Sequence, residues 1–184
     1  MDSTHLIAAM AAAVPDARLH AGTATDQPTI YVDREQLLAV ARALHDADGL
    51  RFHVLADMIG VDLLPRQPRF EVVYHLVAPS TPARMRLKVR VPGDDPRVPS
   101  VTGIWADANW LEREVWDLMG IVFDGHGDLR RLLTPDDWEG HPLRKDYPVQ
   151  IRLTPRATEP LQVTEEEFRA NLAHDRQARD RSRS

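Results

Sequence analysis

The chain has 184 residues, of which 43% are hydrophobic and 28% are charged, close to the composition of an average globular protein. This length favours one domain over two. Because the chain contains no cysteine, it cannot form disulfides or supply thiolates to zinc or iron–sulfur clusters. The net charge of -5 lacks the basic excess of nucleic-acid-binding proteins, so no nucleic acid partner is expected.

The first apolar run, Leu6 to Val14, is too short to span a bilayer. Asp2 and His5 precede it where a secretory signal would carry basic residues. We therefore expect a soluble or peripheral, cytoplasmic protein. The run itself predicts a short helix that ends before Pro15, since the residue before a proline disfavours helical geometry.

The next segments predict a strand followed by a helix. Thr29 to Val32 is rich in β-branched residues. Asp33 and Gln36 have the spacing of a capping box, and apolar residues follow at helical intervals. The pattern predicts a helix from about Arg34 to Ala47 that ends at Gly49.

Three segments with a period of two residues follow, and glycine and proline separate them. They are 52–59, 70–77 and 85–91. This pattern predicts an antiparallel meander of three strands.

The third of these strands has one apolar face and one basic face. The basic residues are Arg84, Arg86, Lys88 and Arg90. Four like charges on one face repel each other unless something compensates them. Either the face is solvated, or it is a docking surface for an acidic partner.

A further helix is predicted from about Trp110 to Met119, capped by Asp107 or Asn109 and ended by Gly120. One side carries the apolar residues Leu111, Val115 and Leu118. The opposite side is charged and carries Arg113, Glu114 and Asp117, with Arg113 close enough to Asp117 in the helix to form an ion pair.

Beyond Phe123 no periodicity is sustained and prolines recur, which is typical of a functional or partner-binding segment. We therefore predict an α+β fold. Its body, residues 1–123, has a mixed or antiparallel sheet of about four strands with packed helices. Residues 124–184 form an extended C-terminal arm that wraps partner subunits and includes a short terminal helix opened by a capping box at Thr164.

The stretch from Glu112 to Asp146 holds nine carboxylates, five arginines or lysines and two histidines. One interpretation is a metal-dependent hydrolase that uses His126, Asp128 and His141. Against it, each histidine follows a glycine in a loop-like sequence, whereas hydrolytic metal sites commonly place two histidines on one helix face.

Other chemistry lacks its usual motifs. The chain has no G-x-S-x-G elbow and no phosphate-binding glycine loop. Arginines instead lie among aromatic residues and prolines, as in protein interfaces, where the planar guanidinium pairs with carboxylates. This composition favours assembly over catalysis.

Three runs within this stretch resemble the signature of a known family. They are EREVWDLMGIVFDGH from Glu112, DLRRLL from Asp128 and DWEGHPLRKDYP from Asp137. They are similar to the C subunit of bacterial type I NADH:quinone oxidoreductase, respiratory complex I, whose mitochondrial counterpart is iron-sulfur protein 3. The resemblance extends over roughly residues 50–148. One departure is Gly127, where the family usually has proline.

The resemblance implies a structural subunit of the hydrophilic arm, with no cofactor of its own, in a complex that passes electrons from NADH to quinone and moves protons. FMN and iron–sulfur clusters would belong to partner subunits. The main partner would be the D subunit, with the B, I and G subunits nearby. The chain would be peripheral, at the cytoplasmic face of the bacterial plasma membrane. We expect a partner interface at Glu112, Arg113, Glu114, Asp117, His126, Arg130, Arg131, His141, Arg144 and Lys145.

Overall fold

The structure, a computed structural model, describes residues 3–148 and, further along the chain, residues 164, 166, 168 and 169. The chain divides into two compact units, Met1–Tyr147 and Pro148–Ser184. This boundary lies further along the chain than the predicted boundary between body and arm at 123/124. The predicted terminal helix and the arm beyond residue 148 lie largely outside the described residues, so the wrapping of partners stays a prediction.

The described residues of the first unit form three α-helices and seven strands. The helices are α1 (Ser3–Ala13), α2 (Leu37–Asp46) and α3 (Ala108–Met119). The strands are β1 (Leu19–Ala21), β2 (Thr29–Val32), β3 (Val54–Asp62), β4 (Phe70–Ala78), β5 (Ala83–Val91), β6 (Arg97–Pro99) and β7 (Val122–Asp124). The predicted α+β class is confirmed.

Five strands form a mixed sheet in the order β1-β2-β5-β4-β3. The predicted antiparallel meander is confirmed, because β3 pairs with β4 and β4 with β5 in antiparallel register. Strand β2 pairs with β5 in parallel, and β1 adds to β2 at the edge. The sheet therefore has one strand more than the sequence predicts, since the three residues of β1 are too few to show a period.

A second, two-stranded sheet joins the segments that precede and follow α3. Strands β6 and β7 flank α3 in the sequence and pair in parallel. Arg97 of β6 forms an ion pair with Asp124 of β7. Helix α3 ends at Gly120 with φ of 71°, the left-handed conformation predicted for this glycine.

The predicted capping box before α2 is wrong. Asp33 makes no side-chain capping bond, and a 3-10 turn, Arg34–Gln36, precedes the α-helix. The Gln36 amide instead donates to the carbonyl of Asp16 and accepts from the backbone N–H of Arg18. Gln36 therefore ties the segment between α1 and β1 to the start of α2.

The core lies between the helices and one face of the large sheet, and it includes Leu37 and Leu44 of α2 together with Leu87 and Val89 of β5. Helix α3 lies against β3 at Gly60. A Cβ atom at this position would lie 3.0 Å from Val115 Cγ1 and 3.1 Å from Met119 Cγ. The missing side chain therefore sets how closely α3 approaches the sheet.

We predict that Gly60→Ala destabilises the fold by about 1–3 kcal/mol, because the added methyl group overpacks the contact with α3. Urea unfolding of the purified chain, followed by circular dichroism, measures this change. Gly103→Ala is the matched control, since a Cβ atom there would meet no atom within 4 Å. Equal stability of both variants would contradict the proposed role of Gly60.

Candidate functional site: a charged module built on helix α3

The charged side of α3 is not a solvent-facing surface. Glu112 and Asp117 are fully buried and Arg113 is 7% exposed, whereas Glu114 is exposed. Arg113 and Asp117 are buried although they lie on the side of α3 opposite its apolar residues, because residues 130–134 fold over them.

Asp117 binds the segment that covers it. One carboxylate oxygen accepts the backbone N–H groups of Leu132, Leu133 and Thr134 at 2.8–3.0 Å. The other accepts Arg131 Nη1 at 2.8 Å and the Thr134 hydroxyl. Burial raises the pKa of Asp117, but Thr134, Arg131 and the backbone donors outweigh it and hold that pKa well below its usual range.

Arg113 holds the same segment from the other direction. Its guanidinium donates to the backbone carbonyls of Arg130 at 3.2 Å and of Arg131 at 3.0 Å. It also lies over the Trp110 ring. The predicted ion pair between Arg113 and Asp117 does not form, because Arg131 takes the carboxylate and Arg113 takes the carbonyls.

Later residues satisfy the carbonyl groups at the end of α3, which have no partner inside a helix. His141 Nδ1 lies 2.9 Å from the carbonyl oxygen of Asp117 and must donate, since that oxygen only accepts. The backbone N–H of Leu143 donates to the carbonyl of Leu118 at 3.0 Å. The run His141 to Leu143 therefore caps the helix through both side chain and backbone.

Arg144 completes this cap. Its Nε donates to the carbonyl of Met119 at 2.6 Å and its Nη2 to that of Gly120 at 3.2 Å. The guanidinium also lies over the ring of Phe70, 5.3 Å from its centroid. Burial, followed by repulsion from Arg69, lowers the pKa of Arg144. The guanidinium of Arg144 therefore contacts both the end of α3 and Phe70 of β4.

An ion-pair cluster fixes the end of this segment to the sheet. Arg69 pairs with the buried Asp62 at 2.8 Å and with Asp146 at 2.6 Å. The Lys145 backbone N–H donates to Asp62, and its ammonium donates to the carbonyl of Leu64. Burial raises the pKa of Asp62, but Arg69 and the backbone N–H groups of Lys145 and Leu64 outweigh it and lower that pKa to about 2.

Glu112 is the one buried carboxyl of α3 without a cation against it among the described residues. One oxygen accepts the N–H of Val101 at 2.7 Å. The other oxygen, and the hydroxyl of the fully buried Tyr74, have no partner within the described part of the chain. Burial raises the pKa of Glu112, while Ser100, Val101 and His126 lower it. The proton is therefore held more tightly in the folded chain than in the unfolded one.

The histidines of the hydrolase interpretation are occupied by the fold. His126 Nε2 lies 3.1 Å from the carbonyl of Asn109, and its Nδ1 accepts the N–H of Asp128 at 3.0 Å. His141 faces the end of α3. Among residues 3–148, no three metal-ligating side chains come together. The structure therefore does not assemble His126, Asp128 and His141 into a metal centre.

Three of the predicted interface residues have charged groups near the surface. Arg130, whose side chain is 71% exposed, pairs with Asp128, while Glu114 and the ammonium of Lys145 lie outside the buried network. The other seven form the intramolecular contacts above. Their contact with a partner stays a prediction.

The charged module consists of α3, residues 130–146, and the residues Asp62 and Arg69 that bind this segment. Three of its members, Asp62, Arg69 and Thr134, were not predicted from the sequence. Asp62 and Arg69 lie far from the charge-dense stretch, and only the fold brings them to it. Thr134 follows a run of leucines and has no distinctive spacing. The sequence offered one signal for these residues: Arg69 lies directly before Phe70, the first residue of a buried strand.

We predict that Asp117→Asn destabilises the chain by about 3–5 kcal/mol at pH 7, because it breaks a buried ion pair. Since folding lowers the pKa of Asp117 below its ordinary 3.8, the carboxylate stabilises the fold above that value and loses this effect as the pH falls below it. Urea unfolding at pH 7 and pH 3 should show a smaller difference between the two chains at pH 3. Asp107→Asn is the control, since Asp107 makes no side-chain capping bond.

The effect of Glu112→Gln on stability should depend on pH in the opposite sense to the effect of Asp117→Asn. Since folding raises the pKa of Glu112, the wild-type chain gains stability from the held proton at low pH and loses it as the pH rises through that pKa. The neutral amide can still accept the N–H of Val101. We expect the melting temperature of Glu112→Gln relative to wild type to be higher at pH 8 than at pH 5. A constant difference between pH 5 and pH 8 would contradict this account.

In the part of the chain that the structure describes, no helix is both long and apolar enough to cross a bilayer. This finding covers α1, which the sequence also predicts to be too short.

Comparison with known proteins identifies the family. Residues 30–152 match the model of the family described as respiratory-chain NADH dehydrogenase, 30 Kd subunit. The C subunit of the NADH-quinone oxidoreductase of Roseiflexus sp. (strain RS-1) is 48% identical over 149 residues, which are 81% of this chain and 86% of that protein. The corresponding C subunit of Geobacter sulfurreducens is 46% identical over 141 residues, 76% of this chain and 83% of that protein.

Two solved structures have similar folds. The trypsin-resistant fragment of Nqo5 is 35% identical with a TM-score of 0.52, covering 70% of this chain and 100% of the fragment. A chain of the membrane-bound sulfane sulfur reductase, an archaeal respiratory membrane complex, is 24% identical with a TM-score of 0.67, covering 79% of this chain and 85% of that chain, and shows the fold alone. The residues matched by the family model include α3 and the capping run His141 to Arg144, so the module lies within the shared part. The chain belongs to the family of the 30 kDa subunit of respiratory-chain NADH dehydrogenase.

Proposed function

We propose that the chain is a structural subunit, without a cofactor of its own, of a proton-translocating NADH-quinone oxidoreductase. One observation carries this proposal: the charged groups that could perform chemistry are bound to the chain's own backbone. Asp117, Arg113, Arg131 and Arg144 together fix a segment that has no helix or strand. Charged side chains that are bound to the backbone fix the shape of a surface and are not available to a substrate.

The module carries exposed apolar residues that suit contact with another subunit. Trp110 is 58% exposed, Leu133 62% and Leu143 58%. Each belongs to α3 or to the segment fixed to it, so their positions are set by the buried charges. Tryptophan and arginine are frequent anchors of protein interfaces. The exposed charges of Glu114 and Arg130 would surround these anchors as a polar rim.

The finer assignments are those that the resemblance to the C subunit implies. The D subunit would be the main partner, with the B, I and G subunits nearby. FMN and iron–sulfur clusters would belong to those partners, in keeping with the absence of cysteine from this chain. The complex would hold the chain peripherally at the cytoplasmic face of the plasma membrane. The relatives named above carry NADH-quinone oxidoreductase in their names, which supports NADH and quinone as the redox partners of the complex.

Affinity purification of a tagged chain from gently solubilised membranes tests the proposal. We expect co-purification of subunits that carry flavin and iron–sulfur clusters, measured by absorbance and electron paramagnetic resonance. Recovery of the chain alone, or with proteins that lack both groups, would overturn it.

Two arginine variants separate a role in the interface from a role in the fold. Arg144→Ala should lower both the melting temperature of the chain and the yield of complex, because the carbonyls of Met119 and Gly120 lose their donors. Arg130→Ala should lower the yield of complex while changing stability by less than about 0.5 kcal/mol, as expected for an exposed side chain. Arg42→Ala, at an exposed position of α2, is the control. Normal assembly of both module variants would contradict the proposed interface.

A further inference from the structure

The core holds two polar groups that the charged module does not use. They are one carboxyl oxygen of Glu112 and the hydroxyl of Tyr74, and both residues are 0% exposed. Within the part of the chain that the structure describes, neither Glu112 Oε2 nor the Tyr74 hydroxyl has a hydrogen-bond partner. Buried polar groups of folded proteins are almost always bonded to protein atoms or to ordered water. These two groups therefore need a partner.

Helix α3 brings Glu112 to the sheet. Val115 and Met119 follow Glu112 at helical spacing, so the three residues share one side of α3. Val115 and Met119 lie against Gly60 of β3, which identifies this side as the one that packs on the sheet. The carboxyl of Glu112 therefore faces the core, whereas Asp117 binds the segment that covers the other side of the helix.

Tyr74 lies on the face of the sheet that α3 covers. It pairs with Met58 in the antiparallel register of β3 and β4, and Met58 and Gly60 alternate with Ile59 on the same face of β3. Burial raises the pKa of Tyr74, and the negative charge of Glu112 raises it further. This electrostatic effect requires the hydroxyl and the carboxyl to lie close to each other in the core, although they do not bond directly.

The surroundings of Glu112 favour a neutral carboxyl. Its other oxygen, Oε1, accepts the N–H of Val101 at 2.7 Å. The titratable groups that face it are Tyr74 of β4 and His126, which follows β7. His126 Nδ1 accepts the N–H of Asp128, so this ring carries its hydrogen on Nε2 and is uncharged. Burial raises the pKa of Glu112 more than its neighbours lower it, and an unpaired buried charge is strongly unfavourable, so the carboxyl keeps its proton.

We propose that Glu112 is a neutral carboxylic acid in the folded chain and that, with the Tyr74 hydroxyl, it binds one water molecule inside the core. A neutral carboxyl has an O–H group that can donate to this water, and the water and the Tyr74 hydroxyl can each donate or accept. An internal water typically has about two to four polar partners, and Glu112 and Tyr74 supply two. The site lies within the first unit and does not depend on the other subunits of the proposed complex.

A metal ion fits this place poorly. Hard cations such as Ca²⁺ take about six to eight oxygen ligands. Glu112 Oε1 is already bonded to a backbone N–H, which leaves Oε2 and the Tyr74 hydroxyl. Among residues 3–148, no three metal-ligating side chains come together. Water therefore suits the two groups better than a cation does.

Infrared spectroscopy of the purified chain tests the neutral carboxyl. At pH 6 an ordinary glutamate is ionised, because its usual pKa is 4.5. We expect the wild-type chain to show the C=O band of a carboxylic acid at this pH. Glu112→Gln should abolish the band, and Glu114→Gln, at an exposed position of the same helix, should leave it unchanged. A spectrum without an acid band that depends on Glu112 would overturn the neutral carboxyl.

A high-resolution crystal structure tests the water. We expect one water oxygen about 2.7–3.0 Å from both Glu112 Oε2 and the Tyr74 hydroxyl oxygen. A direct hydrogen bond between the two side chains, a bound metal ion or a space without any molecule would each contradict the proposal.

The sign of the effect of Tyr74→Phe gives an independent test. Because the hydroxyl binds the water, its removal should lower the equilibrium constant for folding about fivefold, measured by urea unfolding at pH 6. A buried hydroxyl without a partner would give the opposite sign, since its removal relieves an unsatisfied group. Tyr31→Phe makes the same change at a partly exposed position of β2 and should change the constant by less than about twofold. A folding constant of Tyr74→Phe equal to or above that of wild type rules out the water site.

Discussion

The buried carboxylate of Asp117 is the interaction on which the module depends. It lies on the last turn of α3, and its two oxygens bind three successive backbone N–H groups, one hydroxyl and one guanidinium. A segment without helix or strand cannot satisfy its own backbone groups, so it must find partners elsewhere. A single ionised carboxylate supplies several of them. Because charge-assisted hydrogen bonds are short and strong, this arrangement fixes residues 131–134 against the helix.

The need to satisfy backbone groups also explains why α3 can end at Met119. The carbonyl groups of its last turn face His141, Leu143 and Arg144 and not water. Gly120 makes this possible, since its φ of 71° turns the chain away and a side chain there would collide with His141 and Arg144. The helix and the segment after it therefore stabilise each other, and neither has its backbone groups satisfied alone.

The sequence predicts the elements of this fold better than their contacts. Period-two alternation gives β3, β4 and β5 correctly, and Gly120 marks the end of α3. The parallel pairing of β2 with β5 leaves no local pattern, since it depends on residues far apart in the chain. The charged side of α3 shows the same limit: helical spacing places Arg113 and Asp117 on one side, but it cannot show that residues 130–134 will cover that side.

The ion-pair cluster of Asp62, Arg69 and Asp146 has a consequence for the order of folding. Arg69 and Asp146 are separated by 77 residues along the chain, and Asp62 is separated by 83 residues from Lys145, whose N–H it accepts. Contacts between residues so far apart form late, because the loop between them must first close. During synthesis the sheet emerges first, and the end of α3 keeps unsatisfied carbonyls until residues 141–146 leave the ribosome. A nascent chain that stops short of this run would present an uncapped helix end and an Asp62 that pairs with Arg69 but lacks the N–H of Lys145, a state that chaperones and proteases can recognise.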